Sequence, residues 1–220
     1  MNKRSIFNQL LSFFFPVRCF GCGVHGVALC TACTHKLPFA RPTEHAGIIG
    51  IYDYAHPIIT TAIHHLKYHR HSELAHTVTK ASVPHIAEHI AEILQTAHKQ
   101  SIVLIPIPGD TLRSRARGFN QSERIASWIA AILPGSSIEH ILVKHRSTQT
   151  QVANTSRYKR LHNLTNSMSA HALNPDSIYI VIDDVTTTGA TFIEARRALT
   201  IRGARNVLCI ALAHGYKRRI

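Results

Sequence analysis

The run Ile178-Tyr179-Ile180-Val181-Ile182 restricts the fold more than any other stretch of the chain. Five consecutive apolar residues offer no polar face, so a strand built from them is buried on both sides. Such strands sit inside parallel sheets covered by helices. The run stops on two adjacent carboxylates, Asp183 and Asp184, and Val185, Thr186, Thr187, Thr188, Gly189, Ala190 and Thr191 follow. A helix is expected from about Ala190 to Arg202, stopped by Gly203. Val207 to Ala213 supplies another buried strand. Strand, helix and strand at this spacing make a βαβ unit, so the sheet is at least partly parallel.

In an open α/β sheet, ligands collect outside the carboxyl ends of the strands, where the two aspartates lie. Adjacent carboxylates are costly to bury unpaired, but they suit the vicinal hydroxyls of a ribose. The threonines supply short hydroxyl donors, Gly189 permits close backbone approach, and a helix N-terminus supplies free N–H groups. Together these suit a phosphate dianion. The competing reading is an ordinary strand-to-helix turn capped by a threonine, which rarely needs two acids and four hydroxyls. A Walker-type loop is excluded, because no Gly-Lys-Ser/Thr follows the glycine.

Upstream, Ile48 to Tyr54 reads as a strand, and Pro57 opens a helix with apolar positions Ile58, Ile59, Ala62, Ile63 and Leu66. A longer helix is expected over 72–94, bent at Pro84. Ser101 to Ile107 reads as a buried strand, and Ile138 to Val143 as another. Asn120 with Glu123 marks a helix start whose apolar face continues through Ile125, Trp128, Ile129 and Ile132. Residues 110–121 are rich in arginine, and 144–160 are polar, basic and aperiodic, as a mobile loop would be.

Four of the five cysteines crowd into Cys19-x2-Cys22-x7-Cys30-x2-Cys33. Two such knuckles point four thiolates at one ion, the tetrahedral set preferred by structural zinc. An iron–sulfur cluster, free thiols and a redox dithiol are the alternatives. A disulfide framework does not fit this distribution, which points to a reducing compartment. Residues 1–40 are thus expected to form an N-terminal helix and a four-cysteine zinc-binding segment ahead of the main domain at 41–220. The apolar run Ile6 to Val17 lacks a small-x-small cleavage site and is too short to span a bilayer. It reads as an amphipathic helix that packs on the protein or rests on a partner. Cytoplasmic residence is expected, with contact at the inner face of the membrane left open.

The chain carries 25 Lys+Arg against 12 Asp+Glu, a net charge of +13. That excess favours polyanionic partners such as nucleic acid, nucleotides or an anionic membrane surface, unless the protein is merely basic.

Ile180 to Thr191 closely resembles the phosphoribosyl pyrophosphate (PRPP) motif of type I phosphoribosyltransferases, and with the cysteine segment it resembles the ComF family of competence proteins. Leu66-Lys67-Tyr68, Ile105-Pro106-Ile107-Pro108, Arg117-Gly118-Phe119-Asn120-Gln121, Arg146-x-Thr148-x-x-Gln151 and Arg160-x-x-Asn163 occur in the family's order. Asp110 within the arginine loop departs from the pattern, as does the lack of an aromatic soon after Asn163.

The resemblance implies a type I phosphoribosyltransferase-like fold, a largely parallel sheet flanked by helices with the small zinc-binding segment in front. It implies that Asp183 and Asp184 hold the ribose of PRPP and that Thr186, Thr187, Thr188, Gly189, Ala190 and Thr191 wrap its 5-phosphate. Pro108, Arg113 and Arg117 would belong to the pyrophosphate loop, and Arg146, Thr148 and Gln151 to the flexible loop. The arginines also read as a plain solvated surface, and Lys67 as contacting either substrate or an acid. Mg²⁺ would accompany PRPP.

In function, the resemblance implies a PRPP-binding protein assisting DNA uptake in natural transformation. Single-stranded DNA is an expected partner, as are DNA-uptake or DNA-processing proteins. Stacking aromatics would come from Phe13, Phe14, Phe15, Phe20 or Tyr158. The alternative is an active phosphoribosyltransferase that transfers the ribosyl phosphate of PRPP to an unidentified acceptor and releases pyrophosphate. A transcriptional regulator responding to PRPP is a third reading.

Overall fold

A computed structural model describes residues 17–68, 72–94 (backbone only at 92–94), 101–109, 118–145 and 166–216. The elements are α1 (Thr31–Thr34), β1 (Ile48–Asp53), α2 (Pro57–Tyr68), α3 (Glu73–Leu94) and β2 (Ile102–Pro106). Then come α4 (Gln121–Ala130), β3 (Ser136–Ile138), β4 (Leu142–Lys144), β5 (Met168–Ala170), β6 (Ile178–Thr186), α5 (Ala190–Ile201) and β7 (Asn206–His214).

Five strands form one sheet in the order β1-β7-β6-β2-β3, and every pairing in it is parallel. The apolar run therefore lies in the middle strand, as its two-faced hydrophobicity requires. Its side chains alternate between two cores. Ile178, Ile180 and Ile182 pack with Ile59, Ile63 and Leu66 of α2, Leu74 and Ile86 of α3, and Ile125 and Ile129 of α4. Tyr179 and Val181 pack on the opposite face with Phe192, Ala195 and Leu199 of α5. The expected fold class, a parallel sheet flanked by helices with an N-terminal four-cysteine cluster, is the one observed.

Local signals set the boundaries of the helices. Asn120 caps α4 by accepting from the Ser122 N–H at 3.1 Å, and its side-chain amide donates to Ile107 O at 2.9 Å. Past α5, Gly203 takes φ 99° and donates to Thr200 O, while Ala204 N–H donates to Leu199 O at 3.1 Å. That paired closure is the Schellman stop that a glycine permits. The expected helix over 72–94 is present as α3, with Pro84 inside it.

The expected strand from Ile138 to Val143 is corrected by the structure. It is two strands in two sheets, β3 paired parallel to β2 and β4 paired antiparallel to β5. Glu139 N–H still bonds Leu104 O, and the chain then leaves the sheet edge before Leu142 pairs with Ala170. An apolar run read along the sequence does not reveal such a change of partner.

The cysteine segment is not held at arm's length. Cys19, Ala28, Leu29 and Leu37 lie in the same core as α2 and α3, and Ala40 N–H donates to Ile51 O of β1.

The β4–β5 ribbon is fastened to α5 at Glu194 and, at the helix end, by Arg202 Nε, which donates to Ala170 O at 2.8 Å. Glu194, 3% exposed, accepts from Met168 N–H at 3.0 Å and from Arg197 Nε at 2.7 Å, and Arg197 Nη2 donates to Met168 O. Burial alone would push the Glu194 carboxyl up, but the Arg197 guanidinium and the Met168 N–H outweigh it and hold it low. Removing one partner of such a pair leaves the other unpaired, at a cost of roughly 3 kcal/mol. Glu194→Ala is therefore expected to lower the melting temperature by several degrees. It should also raise hydrogen exchange at Met168 and Ala170 before the rest of the sheet.

Candidate functional site

β2 stops one step before the chemistry begins. Its last partner on β6 is Ile182, facing Pro106, whereas β7 follows β6 four residues further to Thr186. The strand thus outlasts the apolar run, and residues 183–186 form a ledge paired on one side only.

At the end of that ledge a cleft of about 60 Å³ is lined by Asp183, Val185, Thr186, Thr187, Thr188, Gly189, Ala190, Thr191 and Phe192. Gly189 stands at the N-cap of α5 with φ 72°, where L side chains are strained. A Cβ there would also meet His45 Cδ2 at 3.0 Å and Ile48 Cδ1 at 3.2 Å. With no side chain at the cap, the first-turn N–H groups of α5 have no intrahelical acceptor, and among them Ala190 N–H donates to Thr188 Oγ1 at 3.4 Å. The end of β7 supports this loop from behind. Gly215 N–H donates to Thr186 O at 2.9 Å, and the ring nitrogens of His214 lie 3.3 Å from Thr187 O and 3.4 Å from Arg41 O.

The acidic pair is divided between two sets of partners. Asp183 lines the cleft, and its Oδ1 accepts from Ser122 Oγ at 2.8 Å and from Asp184 N–H at 2.9 Å. Asp184 is not among the lining residues. Its Oδ1 accepts from Val185 N–H at 2.9 Å, and its Oδ2 lies 2.9 Å from the Lys67 ammonium of α2. Loss of hydration, with the Asp184 charge beside it, pushes the Asp183 carboxyl up to about 7, although the Ser122 hydroxyl pulls the other way.

Of the residues singled out from sequence, Asp183 and Thr186 to Thr191 are thus brought together. Pro108 lies just beyond the end of β2, two residues after the Pro106–Ile182 pair. Arg113, Arg117, Arg146, Thr148 and Gln151 lie outside the described residues, as do Phe13, Phe14, Phe15 and Tyr158. Lys67 pairs with an acid, one of the two roles its motif left open. Ser122 was not anticipated. Its signal was present, as a hydroxyl directly after the Asn120-Gln121 helix start, at the same edge of the sheet as the aspartates.

The sulfurs of Cys19, Cys22, Cys30 and Cys33 lie within 4.8 Å of one another, and none is in a disulfide. The Cys22 and Cys30 sulfurs are 3.6 Å apart. That is close to the edge of about 3.8 Å expected for a tetrahedron with metal–sulfur bonds of ~2.3 Å. Gly21 N–H and Cys30 N–H both point at Cys19 Sγ from 3.4 Å, as backbone donors that steady a metal-bound thiolate do. The four residues therefore fit a metal ion. Gly21 is obligatory here, since a Cβ would come within 2.6 Å of Cys33 Sγ and 3.4 Å of Ile58 Cδ1 of α2. Phe20, 48% exposed, sets its ring edge-on to His65 of α2, with centroids 5.4 Å apart.

No protein-family model matches the chain. It is 28% identical over 196 residues to DNA utilization protein YhgH of Escherichia coli O157:H7, covering 86% of this chain and 80% of that one. The Salmonella typhimurium protein of the same name is 26% identical, with 82% of each chain covered. Competence protein F of Haemophilus influenzae is 27% identical over 113 residues, about half of each chain. The resemblance to the ComF family read from the motifs is borne out by these relatives together with the four-cysteine cluster. Among solved structures, the chain is similar to an allosteric regulatory enzyme of purine biosynthesis, at 16% identity and TM-score 0.37, covering 67% of this chain and 30% of that one. It is also similar to a purine phosphoribosyltransferase from Pyrococcus horikoshii, at 16% identity and TM-score 0.33, covering 62% and 80%. No helix among the described residues is long and apolar enough to cross a membrane.

The raised Asp183 carboxyl has a consequence for stability. An aspartate titrates near 3.9 when unfolded, so between about pH 4 and pH 7 the folded state holds the extra proton and stability falls as pH rises. Asp183→Asn keeps an oxygen for Ser122 and removes the charge. It is expected to raise stability at pH 8 by on the order of 2 kcal/mol and to give no gain at pH 4. Denaturant melts at the two pH values measure this, and an equal effect at both would contradict it.

Proposed function

We propose that the chain binds PRPP, with Mg²⁺ on its diphosphate, in the cleft at the end of β6. We further propose that it assists DNA uptake through contact with single-stranded DNA or with the uptake machinery. The first half rests on one continuous element, an acid-ended buried strand running through a threonine and glycine loop into the glycine-capped N-terminus of α5. In this reading Asp183 accepts a ribose hydroxyl, with Asp184 beside it. Thr186 to Thr191 and the α5 N–H groups surround the 5-phosphate. Pro108, Arg113 and Arg117 serve the diphosphate, which suits the forked donors of arginine, and Arg146, Thr148 and Gln151 serve as the flexible-loop residues of the family pattern.

Support for the second half comes from the names of the relatives, DNA utilization protein and Competence protein F, and from the net charge of +13. The metal of the cysteine cluster is zinc in this reading, since four thiolates close the tetrahedron and leave no open position for chemistry. The protein acts in the cytoplasm, where such thiols stay reduced.

Calorimetry with PRPP and Mg²⁺ tests the cleft. Wild-type protein is expected to bind, and Asp183→Ala is expected to weaken binding at least tenfold at pH 8. No binding, or binding unchanged in the variant, removes the assignment. Pyrophosphate release from the same samples over a panel of bases reports whether transfer accompanies binding. For the DNA, affinity for a single-stranded oligonucleotide is expected to fall steeply and linearly in log–log terms with salt, at about 0.7 per phosphate neutralised. A flat salt dependence would sink the electrostatic contact.

A further inference from the structure

The proposed cleft leaves one pairing without a role. Lys67 comes from α2, over a hundred residues before the acid it touches, and its ammonium lies 2.9 Å from Asp184 Oδ2. The Lys67 side chain is 31% exposed and that of Asp184 14%, so the pair is neither a solvated surface contact nor a buried bridge. α2 does not drift to this position by chance. Ile59, Ile63 and Leu66 anchor it in the core under β6, and Ile58 and His65 meet the cysteine segment.

Few charged groups bear on Asp183 among the described residues. Asp184 stands next to it on β6, with Lys67 beyond Asp184 on α2. From α4 comes only the neutral hydroxyl of Ser122, and across the ledge on β7 stands Ala211. β2 has already ended at Pro106. Two neighbouring carboxylates repel, and a group that needs both oxygens as acceptors must stay ionised while its neighbour is charged. A cation placed on the neighbour removes much of that repulsion without occupying Asp183.

We propose that Lys67 is a positioning residue of the sugar-phosphate site: by neutralising Asp184 it keeps the adjacent Asp183 carboxylate ionised to accept the ligand's ring hydroxyls. This rests on the reading of the cleft given above. Burial and the Asp184 charge bring the Asp183 carboxyl up to about 7. The same carboxylate therefore crosses between donor and acceptor within the neutral range, and Lys67 sets where it crosses.

The experiment reads Asp183 directly in the ligand-free protein, by NMR of ¹³C-carboxyl-labelled aspartate with the resonance assigned from Asp183→Asn. Lys67→Met is expected to move the Asp183 midpoint alkaline by about one pH unit, and Lys67→Arg is expected to leave it in place. PRPP affinity relative to wild type should then fall about fivefold at pH 7 in Lys67→Met and recover by about pH 9.5. An unchanged midpoint in Lys67→Met overturns the proposal. A binding defect of constant size across pH also overturns it, since that is the signature of a direct ligand contact or of a purely structural role. If Lys67→Met fails to fold, Lys67→Gln carries the same two measurements. If wild-type protein does not bind PRPP, the reading of the cleft fails, whereas the carboxylate midpoint still decides the role of Lys67.

Discussion

The site depends on how the backbone hydrogen bonds of β6 end. Within 178–182 the strand is paired on both sides, by β2 and by β7, and every side chain is buried. There a charge would have no solvent and no partner. From 183 onward β2 is gone while β7 continues to Thr186, so the strand stays rigid but gains one open edge. Charged side chains stand there and not within 178–182. Asp183, the threonines and the α5 N-terminus are all laid out from that ledge. The supports that reach it, Ser122 from α4, Lys67 from α2 and His214 from β7, come from elements packed on or paired with the same sheet.

That arrangement shows which parts of the molecule are legible in the sequence. The central strand is legible because five apolar residues in a row admit only a two-faced burial. The helix ends at Asn120 and Gly203 are legible because cap chemistry is local. The threonine and glycine loop is legible for the same reason, since Gly189 and its threonines act within one turn of chain. What was not legible is non-local. Nothing along the sequence places Ser122 against Asp183, 61 residues on, or separates the partners of two adjacent aspartates. The run 138–143 failed as a strand for the same reason, because its hydrophobicity was real but its hydrogen-bond partner changed midway.

The cost of the site is visible in its electrostatics. A carboxyl raised to about 7 is held against its own preference, and the hydrogen bonds it receives directly come from a hydroxyl and one backbone N–H. A chain selected for stability alone would place an amide there. Keeping an acid where it destabilises is what a binding group for hydroxyls demands, because an ionised carboxylate is the strongest acceptor a side chain offers.

The cysteine cluster enters the same balance through α2. Its knuckle closes on Ile58 where Gly21 leaves room, and its Phe20 ring meets His65, two residues before Lys67. Without a metal, the four thiols contribute only weak sulfur hydrogen bonds, and the segment's order falls to backbone bonds such as Cys19 N–H to Val24 O and to Leu29 and Leu37 in the core. With a metal, the turn becomes a fixed wall for one flank of α2. The helix that carries a cation to the paired aspartates is therefore braced on one side by the sheet core and on the other by the cluster. This gives the four-cysteine cluster a physical bearing on a cleft that it does not touch.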